Sequence, residues 1–213
     1  MYQDKDNSKR IKQSHTVDAT ISHNAKRATL LCHTACKESS DMISKNMLTN
    51  PTDIIIEEWT AQHARWSELL AFVDQLNQRD WLTFTGEWHH SSHVLVARCG
   101  SEILGFLRFV IQDIGPDMDC PPVQWKGENL REAKVLAFGV LPSQRRQGIG
   151  RHLQEALRQR AQELGCYQIR SHSGGDNLAN HQLKLSLGYG VHPIIRGDDR
   201  RGVYFILPLR RLE

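Results

Sequence analysis

The stretch Val140-Leu141-Pro142-Ser143-Gln144-Arg145-Arg146-Gln147-Gly148-Ile149-Gly150-Arg151 constrains the fold more than any other part of the chain. It closes an apolar run, 133–140, continuous enough to be a strand central in a sheet. It opens a segment in which Ile149, Leu153, Ala156, Leu157 and Leu164 recur by threes and fours, the spacing of an amphipathic helix, with Gly165 fitting the C-terminal cap. A central strand thus ends in a bend with two glycines and passes straight into a helix. Without a Cβ, glycine lets a ligand come close to the main chain. The first N–H groups of the helix have no intrahelical acceptor and lie at the positive end of its dipole. Together these features predict a pocket for phosphate oxygens, with Arg145, Arg146 and Arg151 adding mobile positive charge. Two familiar phosphate motifs are excluded: no Gly-Lys-Ser/Thr is present, and Leu153 stands where the dinucleotide fingerprint needs its third glycine.

The surrounding pattern predicts an α/β domain over 53–213. A strand at 54–58 precedes a helix at 61–76, whose apolar stripe is Ala64, Leu69, Leu70, Phe72, Val73 and Leu76. Strands at 93–99 and 103–112 form a hairpin across Gly100-Ser101-Glu102. A long loop with three prolines covers 113–130. After the glycine-bearing bend and its helix come a strand at 167–172, a helix at 178–187 and a closing hairpin of 191–195 with 203–207. This order implies a mixed sheet flanked by helices. Residues 1–50 are polar and weakly periodic, and read as a disordered extension with a short helix near 25–36.

Charge and cysteine usage exclude more than they identify. The first fifty residues hold 8 basic and 5 acidic side chains, which accounts for the entire formal charge of +3. That mixed footprint argues against nucleic acid as a partner. There is no run of 18 apolar residues and no secretory signal, so the reading is cytoplasmic, without a membrane. The five cysteines are odd in number and lack a framework spacing, in keeping with free thiols. His89, His90 and His93 read as a polar turn, and Cys32, His33 and Cys36 lack a second ligand pair, so no metal is expected.

The bend resembles the signature of the Gcn5-related N-acetyltransferase (GNAT) superfamily, Gln/Arg-x-x-Gly-x-Gly/Ala, at Arg145, Gly148 and Gly150. A second family pattern, Asn-x-x-Ala-x-x-Leu-Tyr-x-x-x-Gly-Phe, is met by Asn177, Leu183, Gly188 and Tyr189 at the right offsets. The resemblance spans roughly 53–209. It implies a GNAT-like fold with a mixed, mostly antiparallel central sheet, and acetyl-CoA as co-substrate. It also implies that Phe138, Gly139 and Val140 pair through their main chain with the pantetheine arm. The amides of Arg145, Arg146, Gln147, Gly148, Ile149 and Gly150 would cradle the pyrophosphate, with Arg151 nearby. Asn177 would hydrogen-bond near the pantetheine; as a residue it equally suits a helix N-cap, and the two roles are compatible.

By the same resemblance the protein moves an acetyl group to a primary amine by direct attack in a ternary complex. The acceptor is an amine-bearing small molecule, peptide or protein, and a homodimer is compatible with the sequence. The chain departs from the family at Asn180, in place of alanine, and at Lys184, in place of the tyrosine that commonly protonates the departing thiolate. Lys184 could donate that proton or lie in solvent, and solvent is the favoured placement. Attack needs a neutral amine and therefore a base. Glu132, at the entrance to the central strand, is the first candidate, and His172, at the end of the neighbouring strand, the second. A main-chain N–H near Val140 would polarise the reacting carbonyl. Arg196, Arg200 and Arg201 read as solvated, and Asp117 and Trp125 as loop residues able to grip an acceptor. The alternative is a non-catalytic acyl-CoA-binding or regulatory module.

Overall fold

The computed structural model describes residues 54–193 and 202–210. The extension at 1–50, with its cysteine-histidine cluster, and Arg196, Arg200 and Arg201 lie outside the described residues. The strands are β1 (Ile55–Trp59), β2 (Ser91–Cys99), β3 (Glu102–Asp113), β4 (Gln124–Trp125), β5 (Glu128–Asn129), β6 (Arg131–Val140), β7 (Gln168–Gly174), β8 (Gly190–Pro193) and β9 (Gly202–Pro208). The helices are α1 (Trp66–Gln75), α2 (Arg79–Thr83), α3 (Ile149–Glu163) and α4 (Leu178–Ser186). Seven strands form one sheet in the order β1-β2-β3-β6-β7-β9-β8, while β4 and β5 make a separate ribbon. Neighbours in the large sheet run antiparallel except β6 and β7, which are parallel. The mixed, mostly antiparallel sheet is the fold class that the sequence implies.

Both faces of the sheet are covered. Leu69, Phe72 and Val73 of α1 and Leu82 of α2 pack on Trp59, Val94, Val96 and Phe106. Ile149, Leu153, Leu157 and Ala161 of α3 pack on the other side against Leu95, Ala97, Leu104 and Leu107. Adjacent β2 residues thus enter opposite cores, the period of two that a strand imposes. Residues 103–112 of β3 are all buried, because this strand is covered on both faces.

Two local outcomes differ from the sequence reading. The helix expected from 61 begins at Trp66, after a turn in which the His63 N–H bonds the Thr60 carbonyl. Its successor α2 is not anticipated at all. Asn77, with φ +53°, ends α1 in the left-handed region and turns the chain into α2.

A bulge creates the site. In the β3–β6 ladder, Arg108 pairs with Ala137 but Phe109 with Val135, so Leu136 is an extra residue on β6. Such an insertion bends its strand and increases the twist. The parallel ladder of β6 with β7 ends at this place, with Val135 opposite Ser171. Beyond it the two strands part.

Candidate active site

The wedge between β6 and β7 opens into a cleft of about 770 Å³. Residues 134–138 of β6 and 171–174 of β7 form its floor, and Asn177 and Asn180 flank it from α4. The opposite wall is built by Gln78 at the α1–α2 junction and by Trp81, Phe84 and Trp88 beyond it. Trp81, Phe84 and Trp88 are exposed although large and apolar, and they line the cleft together. Arg108 fixes this wall from behind. Its buried guanidinium donates to the main-chain carbonyls of Trp81 and Phe84, the latter at 2.5 Å, at the C-terminal end of α2. Burial pushes the Arg108 pKa down.

At the far end of β6 the chain passes through a short 3-10 turn, Pro142–Gln144, into α3. Arg146 and Gly148 both take left-handed backbone, at φ +66° and +83°, and Gly148 is the N-cap of α3 without a side-chain cap. The His152 N–H reaches the Gly148 carbonyl at 3.1 Å. The amides of 149–151 precede that bond and have no intrahelical acceptor. Ile149 itself is buried, its side chain packed in the core beneath the sheet-facing side of α3. A Cβ on Gly148 would meet nothing closer than His152 at 3.8 Å, whereas one on Gly150 would lie 3.2 Å from both Leu183 and Phe138. Gly148 therefore leaves space in front of the amides, while Gly150 is demanded by packing. Arg145 turns back, its Nε donating to the Val140 carbonyl at 3.2 Å, and Arg151 reaches Ser186 Oγ at 3.0 Å.

The expected site residues fall into four places. Phe138, His172 and Asn177 line the cleft. Arg145 through Arg151 gather at the end of β6, outside the cleft lining but joined to it by the open strand edge. Asn177 accepts the Asn180 N–H at 3.3 Å, the N-cap bond of α4. Gly139 has a packing reason of its own: a Cβ there would come within 2.6 Å of Leu76 Cδ1.

Glu132 lies at the root of the wedge and is fully buried. Its oxygens accept from Gln112 at 3.0 Å, Gln168 at 2.9 Å and Arg170 Nε at 2.9 Å. Arg170 also donates to Asp117 at 2.6 Å, and Lys134 pairs with the same carboxylate. Burial alone would raise the Asp117 carboxyl. Bonds from Lys134 and Arg170 outweigh it and hold the group below its ordinary value. These pairs stitch β6, β7 and the 113–130 loop together, and Asp117 and Lys134 also line the cleft. Trp125, on the exposed ribbon, is not among the residues lining the cleft.

Lys184 is not in solvent. Its ammonium group is fully buried between α3 and α4, donates to Gln154 Oε1 at 3.1 Å and stands 4.6 Å from the centre of the Tyr189 ring. The favoured placement fails because α4 turns this residue inward with Leu183, and burial pushes its pKa down to about 7. Gln78, whose amide bonds the β6 main chain, escapes the sequence reading altogether, and Asn180, read there only as a departure from the family's alanine, has its Oδ1 buried without a partner among the described residues.

Residues 53–189 match the profile of the acetyltransferase (GNAT) family, and the chain belongs to that family. Its fold is similar to that of Arabidopsis thaliana NAA60 in complex with acetyl-CoA, at 15% identity and a TM-score of 0.55, covering 73% of this chain and 98% of the other. It is also similar to a Klebsiella pneumoniae protein described as an acyl-CoA N-acyltransferase, at 19% identity and TM-score 0.51, over 74% and 98%. A third likeness is to yncA from Salmonella typhimurium with its cofactor acetyl-CoA, at 16% identity and TM-score 0.50, over 75% and 96%. At such identities the likeness concerns the fold. No curated protein matches the sequence. Among the described residues no group of three or more His, Cys, Asp or Glu is arranged to hold a metal, and no helix is long and apolar enough to cross a membrane.

Proposed function

We propose that the protein transfers the acetyl group of acetyl-CoA to a primary amine by direct attack in a ternary complex. One observation carries this reading: beyond the bulge no strand among the described residues covers the β7-side edge of β6, and that edge leads from the cleft to the unpaired amides of α3. Acetyl-CoA supplies an activated thioester. The residues present suit its other parts. The amides of 149–151, with Gly148 clearing the space before them, suit a diphosphate. The main chain at 138–140 suits the pantetheine amides, and the orphaned Asn180 Oδ1 on the cleft wall suits a further N–H donor. Two of the structurally similar proteins are described with acetyl-CoA, which supports the same donor here.

We assign the base to His172 rather than Glu132. The Glu132 lone pairs are already engaged by four N–H groups at the root of the wedge. His172 stands in the cleft on β7, its ring 5.6 Å from that of Tyr204. There it can take a proton from the amine directly or through one water. An N–H on the β6 edge polarises the acyl carbonyl. No acid is assigned to the departing thiolate. Lys184 lies away from the cleft lining, and a thiol of pKa about 8.5 leaves acceptably near neutrality. The aromatic wall of Trp81, Phe84 and Trp88 supports an acceptor with an apolar body beside its amine.

A panel of amines incubated with acetyl-CoA and read by mass spectrometry tests the proposal. Products with a mass gain of one acetyl group are expected. Turnover should fall roughly 10²–10⁴-fold in His172→Ala. Binding of CoA with no product from any amine would favour the non-catalytic acyl-CoA-binding module, a reading that the inward-turned Lys184 keeps in play.

A further inference from the structure

The open edge of β6 is not bare. The Phe138 N–H donates to Gln78 Oε1 at 3.2 Å, and Gln78 Nε2 donates to the Phe138 carbonyl at 3.3 Å. In a pleated strand the N–H and C=O of one residue point the same way, and an adjacent strand would engage both together. The Gln78 side chain makes that same pair of bonds. Two residues further on, the Val140 carbonyl is taken by Arg145 Nε. The edge beyond the bulge is thus closed by side chains of the chain itself.

Gln78 is held there by its surroundings. It comes directly after Asn77, whose left-handed backbone ends α1, and its own N–H bonds the Val73 carbonyl at 3.1 Å. Leu76, two residues earlier, packs over Gly139, its Cδ1 2.6 Å from where a Cβ would stand, so a side chain there would displace the leucine tip. The glycine in β6 lets the α1–α2 junction approach, and the junction delivers the amide to Phe138. Trp81, three residues on, belongs to the aromatic wall of the same cleft.

We propose that Gln78 is an internal occupant of the acyl-CoA position on β6, displaced when the donor binds. The proposal rests on the reading of 138–140 as the docking edge for the pantetheine arm. The two amides of that arm can supply between them the acceptor for the Phe138 N–H and the donor for its carbonyl that the single primary amide of Gln78 supplies, so the hydrogen bonds of β6 are kept in the exchange. What the exchange changes is the α1–α2 junction, which loses its tie to β6. Donor binding thereby reaches the wall on which the acceptor rests. In the free protein the binding-competent state is only a fraction of the whole, and apparent affinity falls by that fraction.

The test is calorimetric titration of the full chain with coenzyme A, for the parent, Gln78→Ala and Gln78→Met, the last keeping bulk without an amide. Near-ultraviolet circular dichroism checks that each variant is folded. Two lost competing bonds should tighten CoA binding by about three- to tenfold in both variants. The Phe138 amide should exchange faster with solvent in the ligand-free variants and regain protection with CoA. Equal or weaker CoA binding by the variants, or undiminished Phe138 protection without CoA, overturns the proposal while leaving the acyl-CoA reading intact. No heat from any of the three proteins overturns that reading and the proposal with it.

Discussion

Replacing Lys184 with methionine isolates the cost of a buried amine that, among the described residues, has Gln154 and the Tyr189 ring beside it and no paired carboxylate. Burial brings its pKa from an ordinary 10.5 to about 7 in the folded protein. Above pH 10.5 the amine is neutral in the folded and unfolded chains alike. Between 7 and 10.5 the unfolded chain holds a proton that the folded one lacks, so this group makes stability rise with pH. Below 7 both hold it, and the penalty is complete. At about 1.36 kcal/mol for each pH unit, the span of about 3.5 units amounts to roughly 5 kcal/mol as an upper figure. Methionine has a similar reach and suits the Tyr189 ring. Gln154 Oε1 keeps the bond from the Tyr189 hydroxyl at 3.0 Å. Urea unfolding of both proteins at pH 7, 8, 9 and 10, monitored by tryptophan fluorescence, gives the difference directly. The stability gained by Lys184→Met should be greatest at pH 7 and shrink by several kcal/mol toward pH 10. A difference that stays constant across that range would refute the reasoning, because the proton would then be bound equally in both states.

Two further substitutions probe the site. Glu132→Gln disturbs the ionic cluster at the root of the wedge and should cost about 3–5 kcal/mol in thermal or urea unfolding. The pH–rate profile of the surviving enzyme should keep its shape; a displaced profile with unaltered stability would return Glu132 to the chemistry. Gly148→Asp meets open space but left-handed backbone, so the fold should survive a loss of about 1–2 kcal/mol while CoA binding disappears from calorimetry. Undiminished CoA affinity would remove the diphosphate cradle. Gly150→Asp is the poorer probe, since Leu183 and Phe138 already press on that position.

What was legible in the sequence is what local pattern encodes. The threefold and fourfold spacing of α3 names Ile149, Leu153 and Leu157, and all three are buried. The bend at Gly148 is readable because two glycines spaced by one residue stand between an apolar strand and an amphipathic helix. The short helix α2 was not, since five residues carry too little period and only Leu82 of them is buried. Nor was the partner of Glu132. That ion pair depends on the parallel register that sets Glu132 opposite Gln168 and Lys134 opposite Arg170, 36 residues along the chain. The inward turn of Lys184 escaped for a related reason: a charged residue one place from an apolar one reads as surface until the packing of α4 on α3 is known. The bulge at Leu136 is likewise hidden, because Val135-Leu136-Ala137-Phe138 is apolar throughout and shows no break in alternation where one residue is surplus.

That surplus residue has an implication for how such a protein can change. The opening between two strands here arises from arithmetic along the backbone more than from any side chain. Many apolar residues could stand at position 136 and preserve it. Losing one position would let the two strands zip together and heal the sheet over the place where ligands enter. Variation in residue identity is therefore tolerated there, and variation in length is not.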